Sequence, residues 1–448
     1  MNGLWPDDWS WQLDGWIILA GVLCALSSAL VGNFLVLRKL SLLGDAISHA
    51  VLPGLAIAFL VTASRSSWPM FLGAVIAGLV TAGATQWIRS AGKVDEGASL
   101  GVVFTCLFAL GLVLIVQAAD RVDLDPGCVL YGAIETTPLD QVSWLGWRMP
   151  RVVWVLGTVL LVNVLVLGVL YKEFQLSSFD PSMSTALGIS AHGMHSLLMV
   201  LVAVTAVASF ESVGNILVVA MLVVPPAAAQ LISDRLGRVI AWSLILAAFS
   251  AVLGHWLATV VPRAMGYRAV STSAMIAVAA GLLFCVCFLV GPRQGVLSRW
   301  WQRRAAAAEM LAEDVVGWLY RREEKLASAD KASREAGAGP EELASGLGVA
   351  LGPLRRNLKR LVRRGTLQNV AGRYQLTAAG REEGQRVVRA HRLWEQYLVE
   401  QAEVPLSRIH EHAERFEHVT TARMREALAE QTDGTERDPH GSRIPPEN

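Results

Sequence analysis

The sequence predicts an all-α polytopic membrane domain of about nine transmembrane helices, followed by a cytosolic winged helix-turn-helix and a further helical region. The mean hydropathy of +0.43 is high for a soluble protein. Residues 1–297 carry 14 basic and 15 acidic side chains, whereas residues 298–448 carry 25 and 23. Charge density therefore rises about threefold near residue 298, as it does where a membrane domain meets a soluble one.

The membrane helices are predicted from their length and apolar character. A hydrocarbon core of ~30 Å requires about 20 apolar residues per helix. The stretches that meet or approach this length are 16–37, 44–63, 69–88, 97–117, 152–171, 196–209, 213–232, 238–260 and 271–291. The sixth is short, and Pro225-Pro226 are expected to break the seventh because proline lacks an amide donor. We interpret residues 118–150 as an external loop or a re-entrant segment.

The orientation follows from the basic residues that flank the spans. The loops between spans show almost no bias. Four arginines follow the last span: Arg293, Arg299, Arg303 and Arg304. An odd number of spans with these arginines inside places the N-terminus outside and the charged tail in the cytosol.

The tail is expected to begin with a helical connector and linker, 298–339, and to continue with a winged helix-turn-helix, 340–388. The helix predicted at 352–364 has a basic face, and the alternation from Gly365 to Thr377 is typical of a β-wing. The candidate DNA contacts on this helix are Arg355, Arg356, Lys359 and Arg360. The sequence contains no nucleotide-binding P-loop, so ATP-driven transport would require a second chain.

Polar groups inside the predicted spans are candidates for an ion path, because burying them in lipid is costly. Asp45 and His49 lie four residues apart, on one helix face, with Ser48 beside them. A carboxylate and an imidazole at this spacing can ligate one divalent ion, or they can form a hydrogen-bonded pair that ties two helices together. His255 is a second candidate, although a lone histidine in a span more often bonds between helices.

The run Leu35 to Gly54, which contains Arg38-Lys39, Gly44-Asp45 and Ser48-His49, resembles the ABC-3 family of manganese, zinc and iron permeases. Phe179-Asp180-Pro181, followed by Ala186 and Gly188, is similar to that family's coupling helix, the cytosolic segment that docks into the partner ATPase. The resemblance covers about 16–291. It implies that Asp45 and His49 belong to the metal path and that residues 179–190 contact the ATPase.

The end of the tail, 389–448, is predicted to be a helical metal-binding and dimerisation region. Glu414, Glu417 and His418 share one face of a helix, and His410 continues it, which suits manganese, iron or zinc. A solvated charged face is the alternative. Residues 309–446 resemble the diphtheria-toxin-repressor family of iron- and manganese-dependent regulators. That resemblance implies one ion held by Asp314, Glu414, Glu417 and His418, and a neighbouring ion held by His391, Glu395 and His410.

These observations predict a permease subunit of an ABC importer in the bacterial cytoplasmic membrane, without an ATPase motif of its own. Mn²⁺ is the first candidate cargo because oxygen ligands at Asp314 and Glu414 resemble the manganese-sensing branch; Zn²⁺ and Fe²⁺ are the others. We expect no tightly bound cofactor, only the transported and sensed metal. The implied partners are an ABC ATPase, an extracytoplasmic metal-binding lipoprotein and a second permease copy or paralogue. DNA is disfavoured as a partner, because anchoring restricts access to the chromosome. The rival hypothesis is a membrane-tethered, metal-responsive transcription regulator.

Overall fold

The computed structural model describes residues 9–62, 67–119, 134–144, 147–266, 270–328, 337–402, 404–432 and 436–447. The chain divides into two compact units, Met1–Arg299 and Trp300–Asn448. We call them the membrane unit and the tail unit and describe each separately.

The membrane unit is a bundle of long apolar helices. In chain order its helices are α1 Asp14–Leu37, α2 Leu43–Thr62, α3 Ser67–Gly92, α4 Glu96–Ala119, α5 Arg151–Val169, α6 Tyr171–Phe179, α7 Pro181–Ala186, α8 Ala191–Val213, α9 Asn215–Ile232, α10 Leu236–Ala264 and α11 Thr272–Val290. Within the described residues, nine of the helices are long and apolar enough to cross a membrane. The predicted fold class is therefore confirmed. Between α4 and α5 lie a 3-10 helix, Ile134–Leu139, and an antiparallel hairpin of β1 Gln141–Trp144 and β2 Trp147–Pro150.

The sixth span is longer than the sequence indicated. Helix α8 begins after Ser190, whose hydroxyl accepts a hydrogen bond from the amide of Gly193 at 3.0 Å. It ends at Val213, before Gly214, which has φ of +90°. His192 and His195 lower the local hydropathy, so the prediction began only at residue 196. Because a hydroxyl cap satisfies the first turn, the helix starts before the apolar run.

The prediction that Pro225-Pro226 break their helix was wrong, because α9 continues through both residues. Pro226 lacks an amide proton, so the carbonyl of Leu222, four residues earlier, loses its usual donor within the helix. At this level α9 lies directly against α1. A Cβ atom added to Gly32 would lie only 2.0 Å from the Leu222 carbonyl oxygen. This close backbone approach requires glycine at position 32 of α1.

The tail unit consists of short helices around a small wing. Its elements are α12 Val296–Ser328, which begins just before the unit boundary, then α13 Pro340–Leu347, α14 Leu351–Arg364, β3 Leu367–Val370, β4 Arg373–Leu376, α15 Ala378–Glu400, α16 Leu406–Glu417 and α17 Ala422–Gln431. The strands pair antiparallel and turn at Ala371 and Gly372, which have φ of +51° and +83°. Buried Leu354, Leu358 and Leu361 pack α14 into the core. Helix, turn, basic helix and wing match the predicted winged helix-turn-helix.

Candidate metal sites

The structure brings Asp45 and His49 together on the first turns of α2. The Nε2 atom of His49 lies 3.6 Å from Oδ1 of Asp45. The Asp45 side chain is 52% exposed and that of His49 is 25% exposed. The imidazole packs against Phe104 and Phe108 of α4, with ring centroids 5.2 and 5.4 Å away. Aromatic rings therefore border the imidazole, while the carboxylate is about half exposed.

Pro53 adds a backbone group to this pair. It lies inside α2 and has no amide proton, so it cannot donate to the carbonyl of His49, four residues earlier. Carboxylate, imidazole and carbonyl oxygen are all ligands for a divalent transition metal. Ser48, the third predicted residue here, lies in α2, but its side chain is outside what the structure describes.

His255 occupies a different place. Its Nε2 atom lies 3.0 Å from Oδ1 of Asp14 at the start of α1, and the ring packs edge-on against Trp9. Asp45 follows the other end of α1, which at 1.5 Å per residue is about 35 Å long. The structure therefore does not bring His255 together with Asp45 and His49. Its role in the metal path stays a prediction, and the observed contact ties α10 to α1.

The predicted coupling segment forms the short helix α7. Asp180 caps it: Oδ1 accepts hydrogen bonds from the amides of Ser182 and Met183, at 3.1 and 2.9 Å. The bond from Met183 is the main reason that the pKa of Asp180 is lowered. Pro181 occupies the first turn, and Gly188, with φ of +84°, follows Ala186 at the helix end. Phe179 is 61% exposed. The segment thus presents an ordered, partly apolar surface.

In the tail unit, three predicted ligands form one group, which we call the first cluster: Asp314 of α12 with Glu417 and His418 at the end of α16. One ligand atom from each lies within 4.8 Å of the other two. The Nε2 atom of His418 is 3.2 Å from Oδ1 of Asp314 and 3.8 Å from Oε1 of Glu417. Glu313, which the sequence analysis missed, lies 2.6 Å from the other ring nitrogen of His418.

The acidic surroundings act on the imidazole of the first cluster. Hydrogen bonds to Asp314 and then to Glu313 raise the pKa of His418 to about 10. The metal-free ring is therefore protonated at neutral pH and balances part of the carboxylate charge. A divalent ion bound here would replace that proton, since a ligating imidazole must be neutral.

His391, Glu395 and His410 form the second cluster. Oε1 of Glu395 lies 3.0 Å from Nε2 of His391 and 3.0 Å from Nδ1 of His410. Burial opposes ionisation of Glu395, but the bonds from the two histidines outweigh it and lower its pKa to about 2. His440 lies 3.9 Å from the same oxygen.

Glu417 connects the two clusters. Its Oε2 atom lies 2.6 Å from Nδ1 of His391, while its Oε1 atom faces His418. Burial alone would lower the pKa of His391, but its hydrogen bonds to Glu395 and Glu417 raise it. Glu414 does not join either cluster, because its side chain points to solvent. The predicted stripe is thus divided: His410 contacts α15, His418 contacts α12, and Glu417 contacts both.

The donor sets fit divalent transition metals. The first cluster offers two carboxylates and one imidazole, with Glu313 as a further carboxylate, and the second offers two imidazoles and one carboxylate. Mixed oxygen and nitrogen ligands suit manganese, iron and zinc.

The predicted DNA contacts on α14 are not equivalent. Arg355, Arg356 and Lys359 are exposed. Arg360 is held at 3.0 Å by Glu309 of α12, whose other oxygen lies 2.8 Å from Arg364. An intramolecular carboxylate therefore neutralises part of the basic face.

Spanning helices with a carboxylate–imidazole pair, joined to a winged-helix tail with two ligand clusters, define a multi-pass membrane protein built to handle metal ions. The family model described as "ABC 3 transport family" matches residues 12–291, more than half of the chain, and the chain belongs to this family. A second model, the iron dependent repressor metal binding and dimerisation domain, matches residues 377–446. Both resemblances drawn from the sequence are thereby confirmed.

Characterised relatives cover the membrane unit. The manganese transport system membrane protein MntD of Bacillus subtilis is 44% identical over 289 residues, which are 64% of this chain and 95% of the relative. The zinc transport system membrane protein TroD of Treponema pallidum is 33% identical over 294 residues, 66% of this chain and 78% of the relative. Among solved structures, PsaBC from Streptococcus pneumoniae in complex with Fab matches with a TM-score of 0.52 and 28% identity, covering 62% of this chain and 92% of that one.

Proposed function

We propose that this chain is the permease subunit of an ABC importer for a divalent transition metal, with Mn²⁺ as the first candidate, in the bacterial cytoplasmic membrane. The observation that carries the proposal is the Asp45–His49 pair in α2, within a unit that belongs to a metal-transport family. Relatives named for manganese and for zinc transport support the choice of cargo.

In this proposal the pair holds the ion only transiently. Its two side chains are 3.6 Å apart, and the carboxylate is half exposed. An open site with few protein ligands binds a cation weakly enough to release it, as conduction requires. The energy comes from a separate ATPase that docks on α7, where exposed Phe179 and the capped turn at Asp180 form the contact. A metal-binding lipoprotein delivers the ion outside, and a second copy or a paralogue completes the permease.

The tail is proposed to lie in the cytosol and to sense imported metal. Asp314, Glu417 and His418 would hold one ion, and His391, Glu395 and His410 a second. When bound, the metal supplies positive charge that replaces the proton on His418 and binds α12 to the end of α16. Glu417 orients His391 for the second ion through its 2.6 Å hydrogen bond. Occupied clusters would then reduce transport, which places feedback within one polypeptide.

Uptake of radioactive manganese tests the path. Cells that express the chain with its ATPase and lipoprotein should lose at least tenfold in uptake with Asp45→Asn or His49→Ala. Asp140→Asn, a matched change at an exposed position beside the β1–β2 hairpin, should leave uptake unchanged. Normal accumulation of manganese, zinc and iron by the Asp45→Asn/His49→Ala double variant, at normal protein level, would refute the permease mechanism.

A second measurement separates the roles of the tail. Asp314→Asn should increase manganese accumulation at high external manganese if the tail is a feedback sensor. Unchanged accumulation would show that the tail acts only as an inert dimerisation module. Altered transcription with uptake insensitive to Asp45→Asn would instead support the tethered regulator.

A further inference from the structure

Part of the basic face of α14 is exposed to solvent and has no acidic partner within the described residues. Arg355, Arg356 and Lys359 are exposed and form no ion pair or hydrogen bond within the described part of the chain. Arg360 and Arg364, one turn on, are already paired with Glu309. Three unpaired cations on consecutive turns therefore form a compact anion-binding surface.

Beside this face lies a groove between α12 and α14 of about 820 Å³. Arg304, Arg356 and Arg360 line its rim, and Met310, Leu311 and Pro353 supply apolar surface. Asp314 lies at one end, but its carboxylate is occupied by His418 at 3.2 Å. The groove therefore combines positive charge with an apolar wall, a combination that suits an amphiphilic anion better than a fully hydrated one.

The first turns of the tail unit carry exposed aromatic side chains. Trp300 is 46% exposed and Trp301 is 66% exposed. The guanidinium of Arg304 lies over the Trp300 ring, 3.6 Å from its centroid. Tryptophan is enriched at the interface between the headgroups and acyl chains of a bilayer, because its ring is largely apolar and its N–H can contact water.

Covalent connectivity keeps this surface near a membrane. Trp300 comes ten residues after Val290, the last residue of α11. Even a fully extended chain of that length spans only roughly 35 Å. The basic face of α14 follows Trp300 closely, because Asn357 donates a hydrogen bond to the carbonyl of Ala308 on α12 at 2.6 Å.

We propose that Trp300, Trp301, the α12–α14 groove and the free cations of α14 together bind anionic phospholipids of the cytosolic leaflet. The inference relies on the proposed function only for the cytosolic location of the tail. DNA offers the same phosphate chemistry but has no counterpart for the exposed tryptophans or the apolar wall. A bilayer supplies phosphate, apolar surface and permanent proximity. In this proposal the winged helix is a membrane-docking element.

The test uses the full chain in nanodiscs that contain either phosphatidylglycerol or phosphatidylcholine with a photoreactive group near the glycerol. After illumination, mass spectrometry locates the labelled peptides. We expect label in 300–311 and 349–363 with the anionic lipid only. Removing a juxtamembrane cation weakens binding to an anionic surface about fivefold. The triple variant Arg304→Gln/Arg356→Gln/Lys359→Gln should therefore lose at least fivefold of this label.

The matched control removes three exposed arginines elsewhere in the tail unit: Arg386→Gln, Arg423→Gln and Arg437→Gln. It has the same change in net charge and should keep the label. Equal labelling by both lipids, or equal loss in the control, would overturn the inference. A labelled DNA duplex added to the same discs at physiological salt gives the competing outcome: duplex binding that depends on Arg356 and Lys359, without lipid selectivity, would assign the face to DNA. None of these measurements depends on metal uptake.

Discussion

Glu417→Gln is the most informative single change, because one buried carboxylate serves both clusters. Its side chain is 4% exposed, with Oε2 at 2.6 Å from His391 and at 3.7 Å from the half-buried Arg321. A buried hydrogen bond between charged groups contributes about 1.5–3 kcal/mol, whereas a partly exposed ion pair contributes little. We therefore expect the free energy of unfolding of the tail to fall by about 2 kcal/mol. Thermal unfolding of the purified chain, followed by circular dichroism, measures this change.

The same substitution removes a charged ligand from the first cluster and the orienting partner of His391 in the second. Loss of an orienting partner alone costs about 10–100-fold in metal affinity. Manganese affinity of the full chain, measured by equilibrium dialysis, should therefore fall at least 100-fold. Glu414→Gln is the matched control on the same helix, since that side chain is exposed; its effect should stay below threefold. Equal losses in the two variants would refute the assignment of Glu417 as the shared ligand.

Three further predictions follow from contacts described above. The pKa of His418 is raised to about 10, so a metal that binds below that pH must displace the proton of the ring. Manganese affinity should therefore rise about tenfold per pH unit as the pH approaches this pKa. Calorimetry in buffers of different ionisation enthalpy should detect the released proton. Gly32→Ala should sharply lower the yield of folded protein, because the added Cβ would lie 2.0 Å from the Leu222 carbonyl oxygen. Gly83→Ala should be tolerated, because a Cβ atom there would have no neighbour within 4 Å. Similar yields of the two variants would contradict the close packing of α1 on α9. Asp180→Ala should reduce the stimulation by the permease of ATP hydrolysis in the partner ATPase. Asp180→Asn should keep that stimulation, since asparagine caps a helix as well as aspartate does. Loss of stimulation in the Asn variant would show that charge, not capping, matters at α7.

The number of spans, the winged helix and the shared helix face of His410, Glu417 and His418 could be predicted from the sequence, because each depends on local periodicity. A run of apolar residues or a basic helix face can be identified without knowledge of its neighbours. The resemblance to known families then implied Asp314, His391 and Glu395, which lie on other helices than the one that carries Glu417.

The errors arose where packing between distant segments decides the outcome. Glu414 lies on the same stripe as His418, but its side chain is exposed, whereas Glu417 contacts His391 and His418 contacts Asp314. Glu313 was missed because adjacent helix residues do not share a face, yet His418 is held between Glu313 and Asp314 through its two ring nitrogens. Likewise, the local sequence around Pro225 and Pro226 did not indicate that α9 continues through both residues.

The hydrogen bonds between α1 and α10 restrict how the membrane unit can change shape. Asp14 holds His255 near one end of α1, and Asn33 donates to Ser243 at 2.7 Å near the other. Because hydrogen bonds join α1 to α10 near both ends of α1, we expect the two helices to move as one rigid body. Rearrangement during a transport cycle would then involve the helices around them. Lys39, with its left-handed φ of +61°, lies in the short turn that joins α1 to α2. Under the proposed function, rotation about this turn would move Asp45 and His49 relative to the pair formed by α1 and α10.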